Sequence, residues 1–251
     1  MGAHKNDPRT TVVASGGDGT ISSIVSHILG GQCKLGIIPA GTLNHFAKEL
    51  DIPLDINKAI QTLQHGDVRK VDVGTVNGRA FINNASIGFY PRSLRFRDEH
   101  QGRIGKWPAA IIGLARTMLR PRKYAATIVV HGETKHFRTP FVFVGNNEYQ
   151  RNGPDLGARK TVTNGTLALY VVKATRPLAI LNSLLHTFLT KKRHTRDFAI
   201  YTASSFTVHT KRHTIRVARD GESSLMHSPL HFQSNHLALQ VIAPHEEAAR
   251  A

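Results

Sequence analysis

Three short segments hold residues whose types and spacing suit phosphate and proton chemistry. Ser15-Gly16-Gly17-Asp18-Gly19-Thr20 stands between an apolar run, Thr11-Val12-Val13-Ala14, and a stretch with Ile21, Ile24, Val25, Ile28 and Leu29 at helical spacing. Glycines there admit a close approach that a Cβ would block, and backbone N–H groups at a helix start attract an anion. Thr20 can cap the helix or hydrogen-bond a phosphate. Asp18 would repel a bare phosphate, so its presence suggests a Mg²⁺-bound nucleotide. The bland alternative is a tight turn with an Asx or Thr cap, and for this segment alone it is the simpler reading. No Gly-Lys-Ser/Thr follows, so this is not a Walker A loop.

The second segment, Pro39-Ala40-Gly41-Thr42-Leu43-Asn44, follows the next apolar run, Leu35-Gly36-Ile37-Ile38. In a parallel sheet both loops lie at the carboxyl ends of strands, where ligands gather. A shared phosphate cleft is then favoured over two unrelated capped turns. The third segment, Asp220-Gly221-Glu222, taken by itself reads as a hairpin turn, since Asp-Gly is a favoured hairpin pair.

The elements that must position these residues fall into two groups. Residues 10–67 alternate strand and helix: a strand over 11–14, a helix through Leu29, a strand over 35–38, a helix over Thr42–Leu50 and a third over Ile56–Gln64. That is the pattern of a parallel α/β lobe. Beyond Gly66 the chain turns rich in Val, Ile, Thr and Phe, with turn pairs such as Asn77-Gly78 and His131-Gly132. Strands are expected over Val68–Val76, Ala80–Ala85, Ala125–His131, Phe137–Val144, Thr166–Val172, Phe198–His209, Ile215–Ala218 and Leu237–Ala243, mostly antiparallel. Two helices interrupt them, Ile104–Leu119 and Leu178–Leu189. The first carries Ile104, Trp107, Ile111, Leu114 and Met118 on one face. A basic amphipathic helix of this kind can lie on an anionic membrane; the commoner arrangement, and the one expected, packs that face on its own β lobe, with Trp107 in the core. The expected division is 1–67, 68–244 and a disordered tail over 245–251.

In this order the motifs resemble the diacylglycerol kinase catalytic family, which includes bacterial soluble lipid kinases and sphingosine and ceramide kinases and is related to NAD kinases. Gly16 to Thr20, Gly36 to Ala47 and Asp220-Gly221-Glu222 carry the likeness. Val71-Asp72-Val73-Gly74, Phe81 to Gly88 and Phe143-Val144-Gly145-Asn146-Asn147 extend it. The resemblance implies an α/β plus β fold with the active site in a cleft between an N-terminal parallel α/β lobe and a larger, mainly antiparallel β lobe. It implies ATP- and Mg²⁺-dependent transfer of the γ-phosphoryl group to a diacylglycerol-like lipid hydroxyl. Gly16, Gly17, Asp18, Gly19, Thr20, Gly41, Thr42 and Asn44 would bind nucleotide. Asp18 and Asp220 would serve the metal, and Glu222, with both of them at the catalytic centre, would take the hydroxyl proton. Such an alcohol is a poor nucleophile and needs a positioned base.

Three departures bear on that expectation. Only about ten residues precede the first strand, whereas the family carries a further strand–helix unit there, which takes roughly 30 residues or more. Without that unit the sheet edge would be exposed and the nucleotide site weaker. His45 stands where many members have an aspartate. Thr163-Asn164-Gly165-Thr166-Leu167-Ala168 replaces an acidic turn that holds an accessory Mg²⁺, so no such site is expected. Two rival readings follow: an inactive relic that binds lipid or nucleic acid, and NAD kinase-like chemistry.

Composition narrows the partners. The 251 residues carry a net charge of +16, all of it in Arg92–Lys123 (net +7) and Lys173–Arg219 (net +9). Concentrated cations imply an anionic partner. A lipid substrate at an anionic membrane surface fits. Nucleic acid does not, for want of an aromatic RNA-binding motif or a helix-turn-helix pattern. No run reaches the roughly 18 apolar residues of a membrane span. One cysteine, Cys33, excludes an internal disulfide framework. The 15 histidines show no His-Glu-x-x-His pattern. A cytoplasmic protein, peripheral at the inner membrane surface, is the expectation.

Overall fold

The computed structural model of the chain describes residues 5–119, 121–150, 159, 161–173, 176, 179 and 198–245. The expected helix over Leu178–Leu189, the basic Lys191-Lys192-Arg193-His194 run and the tail beyond His245 lie outside them.

The N-terminal lobe is built as its apolar spacing dictates. Strand β1 (Thr11–Gly16) pairs in parallel with β2 (Lys34–Pro39), and helix α1 (Asp18–Ile28) crosses between them. α1 buries Ile21, Val25 and Ile28, the i, i+4, i+7 stripe, against Leu35 and Ile37. Helix α2 (His45–Glu49) is shorter than the Thr42–Leu50 span expected, because Asn44 takes a left-handed conformation, φ 50°, and holds residues 41–44 as a turn. Helix α3 (Ile56–His65) is capped by Asp55, whose carboxylate accepts from the Lys58 N–H.

Strand β3 (Asp67–Val76) then pairs antiparallel with the last strand, β14 (Leu230–Ala243), and with the short β4 (Arg79–Phe81). β14 also runs parallel to β2 through Gln240 and Val241. Its other half pairs with β11 (Ser205–Thr210), which continues to β6 (Tyr124–Val130) and β7 (Glu133–Thr139). One mixed eight-stranded sheet therefore runs through both lobes in the order β1-β2-β14-β11-β6-β7, with β3 and β4 beside β14. β1 is its edge strand.

A second, antiparallel sheet has the order β10-β9-β8-β5-β12-β13. These are β5 (Asn84–Gly88), β8 (Phe141–Asn146), β9 (Leu167–Val172), β10 (Phe198–Ala203), β12 (Thr214–Arg219) and β13 (Glu222–His227). The two sheets enclose the main core, where Ile87, Val144, Leu169 and Val217 meet Ile128, Phe206, Val208 and Phe232. The fold class thus matches the expectation.

Several details differ from the sequence reading. Phe198–His209 is two strands, β10 and β11, in different sheets, β13 was not foreseen, and the last strand starts at Leu230 rather than Leu237. Ala80–Ala85 is two strands, not one, because residues 82 and 83 leave the ladder and, with the Asn84 N–H, wrap a carboxylate described below. A helix not foreseen, α4 (Phe89–Ile104), precedes α5 (Lys106–Leu119). Most of the large apolar side chains of α5 stay out of the β-lobe core, Trp107 being 60% exposed, while Met118 is half-buried in a small cluster with Phe89, Phe141 and Val172. α5 meets α4 through Ala109, Gly113 and Thr117, whose small size lets the two helices approach.

β14 bends where three of its residues, 236–238, face one residue of β3. Asp72 sits opposite that bulge, buried, and closes it. Its Oδ1 accepts from the Leu237 N–H and from His236, and its Oδ2 from Asn147 Nδ2 and the Gly165 N–H. Truncation of Phe232, which stacks on Phe206 at 5.0 Å in the sandwich core, is expected to cost about 3–5 kcal/mol. Urea unfolding of Phe232→Ala against the parent chain measures it.

Candidate active site

The two glycine turns meet face to face. A Cβ on Gly41 would lie 2.3 Å from Gly17 Cα, so backbone packs directly on backbone. Asn44 braces the contact, its Oδ1 accepting from the Gly41 N–H and its Nδ2 donating to the Gly41 carbonyl. The N-cap residue of α1 is Gly17 and makes no side-chain cap, so the first-turn amides of Asp18, Gly19 and Thr20 carry no side-chain acceptor there. Uncapped amides at the start of an eleven-residue helix, approached over glycine, suit a phosphate. A Cβ on Gly16 would strike the Thr20 side chain at 2.7 Å, which holds that position to glycine. Thr20 and Thr42 are exposed beside the turns.

Asp18 reaches across to the second turn. Its carboxylate accepts from the His45 and Phe46 N–H groups at 3.1 and 3.0 Å and so caps α2. The residue expected at the metal thus also ties the first turn to the second helix.

Asp220 plays a similar part from the β lobe. Asp220-Gly221 is the two-residue turn of the β12–β13 hairpin, both residues at positive φ (45° and 86°), the conformation of a type I′ turn. The bland hairpin reading and the catalytic reading are therefore compatible. Oδ1 of Asp220 accepts from the Asn83 and Asn84 N–H groups at 2.8 and 3.0 Å, and Oδ2 from Ile82 at 2.8 Å. Ser22 of α1 hydrogen-bonds the same carboxylate. Burial pushes the Asp220 carboxyl above its usual range, while Ser22 and the amides pull it back.

The next residue, Glu222, is exposed and points at the first glycine turn. Its Oε1 would lie 3.0 Å from a Cβ on Gly19. The two halves of the expected site, over 200 residues apart in sequence, thus come together. Of the expected site residues, Gly19 and Glu222 line a cleft of about 360 Å³, together with Ser22, Ser23, Ser26, His27, Arg79 and Arg219. Arg219 donates to the Ala80 carbonyl at 2.6 Å, and burial lowers its pKa, with the nearby Arg79 adding to the shift. Arg97 of α4 donates to the Gly221 carbonyl and braces the turn. The sequence reading missed Arg79, Arg219 and the α1 residues Ser22, Ser23, Ser26 and His27 of the cleft lining, and Arg97 behind the turn. Only their place among charged residues near a motif could have flagged them.

A buried ion pair supports the nucleotide side. Arg159 bonds Glu49 at the end of α2, donates to the Ile82 and Asn146 carbonyls, and lies over the Phe46 ring.

Residues 2–76 match the family model of the diacylglycerol kinase catalytic domain. Residues 102–243 match that of the YegS C-terminal NAD kinase beta sandwich-like domain. The chain belongs to this family. It is 30% identical over 240 residues to an Escherichia coli protein named as a YegS lipid kinase, covering 91% of this chain and 75% of that one. It is 48% identical over 80 residues to the diacylglycerol kinase of Bacillus subtilis, a match that spans 31% of this chain and only 26% of that relative. A Bacillus anthracis crystal structure described as a diacylglycerol kinase superposes with a TM-score of 0.67 at 26% identity, over 93% of this chain and 78% of that one.

The residues present fit nucleotide phosphates but offer no ready metal centre. Asp18 and Asp220 each commit both carboxylate oxygens to backbone amides. Among the described residues no group of three His, Cys, Asp or Glu is placed to hold a metal ion.

Gly41→Ala should drive the two turns apart at a destabilisation of about 1–3 kcal/mol, the usual range for overpacking. The measurement is chemical denaturation with far-UV circular dichroism, which should show the β lobe still folded.

Proposed function

We propose that this chain transfers the γ-phosphoryl group of ATP to the hydroxyl of a diacylglycerol-like lipid. The observation that supports it best is Glu222 standing over Gly19 of the first glycine turn, in a cleft that both residues line together with Arg79 and Arg219. When bound, ATP supplies the phosphoryl group, and Mg²⁺ belongs with its phosphates rather than with a carboxylate cluster of the protein.

In this reading Gly16, Gly17, Gly19 and Thr20 hold phosphate oxygens with the amides of α1, and Gly41, Thr42 and Asn44 complete the nucleotide side. Glu222 takes the proton of the lipid hydroxyl as that oxygen bonds to the γ-phosphorus and the bond from that phosphorus to ADP breaks, so that ADP leaves. Arg79 and Arg219 offset negative charge at the cleft, the main demand of phosphoryl transfer. Asp18 and Asp220 act as positioning residues, because their hydrogen bonds go to backbone. The acceptor is met at an anionic membrane, with the chain peripheral on the cytoplasmic surface of the inner membrane. Among the described residues no helix is long and apolar enough to cross a bilayer.

Glu222→Gln keeps shape and removes the base. Turnover on diacylglycerol in mixed micelles should fall about 10²–10⁴-fold, with affinity for a labelled ATP analogue retained. Ceramide, sphingosine-type lipids and NAD serve as parallel acceptors. A variant as fast as the parent would exclude Glu222 as the base. Transfer to NAD alone would exclude the lipid.

Gly17→Val tests the other half of the cleft. A branched side chain there should abolish binding of the same analogue, because its Cβ would lie 3.2 Å from Gly41 Cα and the branches beyond it would push the two turns out of register. Equilibrium binding that is unchanged would make the turn purely structural.

A further inference from the structure

Helix α5 reverses the usual arrangement of an amphipathic helix on a domain surface. Its small residues, Ala109, Gly113 and Thr117, are the buried ones. A Cβ on Gly113 would lie 2.9 Å from the Ser93 carbonyl oxygen, so α5 rests closely on α4. Its large apolar residues are exposed: Trp107, Ile111 at 66%, Ile112, Leu114 and Leu119 at 68%. Contiguous apolar exposure of this kind marks a binding surface.

The charge around that face has one sign. From Gly102 to Lys123 the sequence holds six Lys/Arg and no Asp or Glu. Arg103, Lys106, Arg116, Arg122 and Lys123 are exposed. An apolar face rimmed by cations complements a layer of acidic headgroups over acyl chains. A second copy of this chain would set the same cations against one another.

We propose that the exposed face of α5 docks the chain on a bilayer of anionic phospholipid. Trp107, Ile111 and Leu114 enter the acyl boundary, and Lys106, Arg122 and Lys123 meet the headgroups. The proposal rests on the reading of the chain as a lipid kinase, and it names the surface by which the membrane is met. That surface is joined to the cleft, because α4 carries Arg97 to the turn that precedes Glu222.

Trp107 is the only tryptophan of the sequence, so its emission reports from this face. The full chain is titrated with phosphatidylglycerol vesicles and with phosphatidylcholine vesicles. A blue shift and co-sedimentation are expected with the first and not the second. Salt should release the chain, since the Debye length falls from about 10 Å at 0.1 M to about 3 Å at 1 M. Ile111→Asp, at an exposed position, should weaken vesicle binding about tenfold or more, the weight of one aliphatic side chain withdrawn from the acyl layer. A combined Lys106→Ala, Arg122→Ala and Lys123→Ala variant should bind as weakly as the parent does at high salt. Both variants should phosphorylate a short-chain, water-dispersed diacylglycerol at the parent's rate.

Unshifted Trp107 emission with phosphatidylglycerol vesicles overturns the docking surface, and so does an Ile111→Asp variant that binds as tightly as the parent. A dimer that Ile111→Asp dissolves, with vesicle binding unaltered, overturns it in favour of a second copy. Failure of the parent to phosphorylate the dispersed acceptor, with vesicle binding intact, overturns the kinase reading and leaves the docking surface standing.

Discussion

The cleft depends on one buried carboxylate. Asp220 gathers the amides of Ile82, Asn83 and Asn84 and the hydroxyl of Ser22 at a single point. Three successive N–H groups converge in this way only around an acceptor. Left unpaired in the interior, each would cost about 1–3 kcal/mol. The carboxylate thus defines where the β4–β5 loop breaks from its ladder and where the β12–β13 hairpin turns. It also defines how close α1 comes to both. Glu222 inherits its position from that arrangement, since it is the first strand residue after the turn.

Other motif residues prove to be framework of the same kind. Asp72 closes the bulge of β14, and Gly74 lies under the Phe81 ring, whose Cζ would be 2.3 Å from a Cβ there. Asn146 donates to the Asp72 and Ile82 carbonyls. In each case a polar or small residue satisfies backbone at an irregularity, which accounts for such residues in segments otherwise rich in Val, Ile and Phe.

Much of this was readable beforehand. Helical spacing placed α1, α3 and α5, and alternation with Asn-Gly and His-Gly turns placed most of the strands. The meeting of the two glycine turns was expected from their place at the carboxyl ends of parallel strands, whereas the meeting of Glu222 with Gly19 followed only from the family resemblance, because nothing local encodes a contact across some 200 residues. α4 was missed since its sequence, Phe89 to Ile104, is dense in Arg, Asp and Glu and shows no apolar stripe of full length. For α5 the periodicity was right and the buried side was wrong. Periodicity distinguishes two faces but does not say which one meets protein. Here close helix contact selected the small residues and left Trp107 and Ile111 outside. Likewise, an aspartate beside a glycine turn looks the same in sequence whether it serves a metal or caps the next helix, as Asp18 does.

The strands shared by both lobes have a mechanical consequence. β3 and β14 run from the α/β lobe into the sandwich, and both contribute to the two cores, β3 through Val71 and Val73 on one side and Val76 on the other, β14 through Leu239 and Val241 and through Leu230 and Phe232. No flexible linker separates the lobes there, so the cleft has no hinge about which to open like a clamshell. Any widening must come from twisting of that shared sheet, whose bulge at 236–238 is itself tied by Asp72. A substrate must therefore enter a mouth whose width is set in advance by strand curvature.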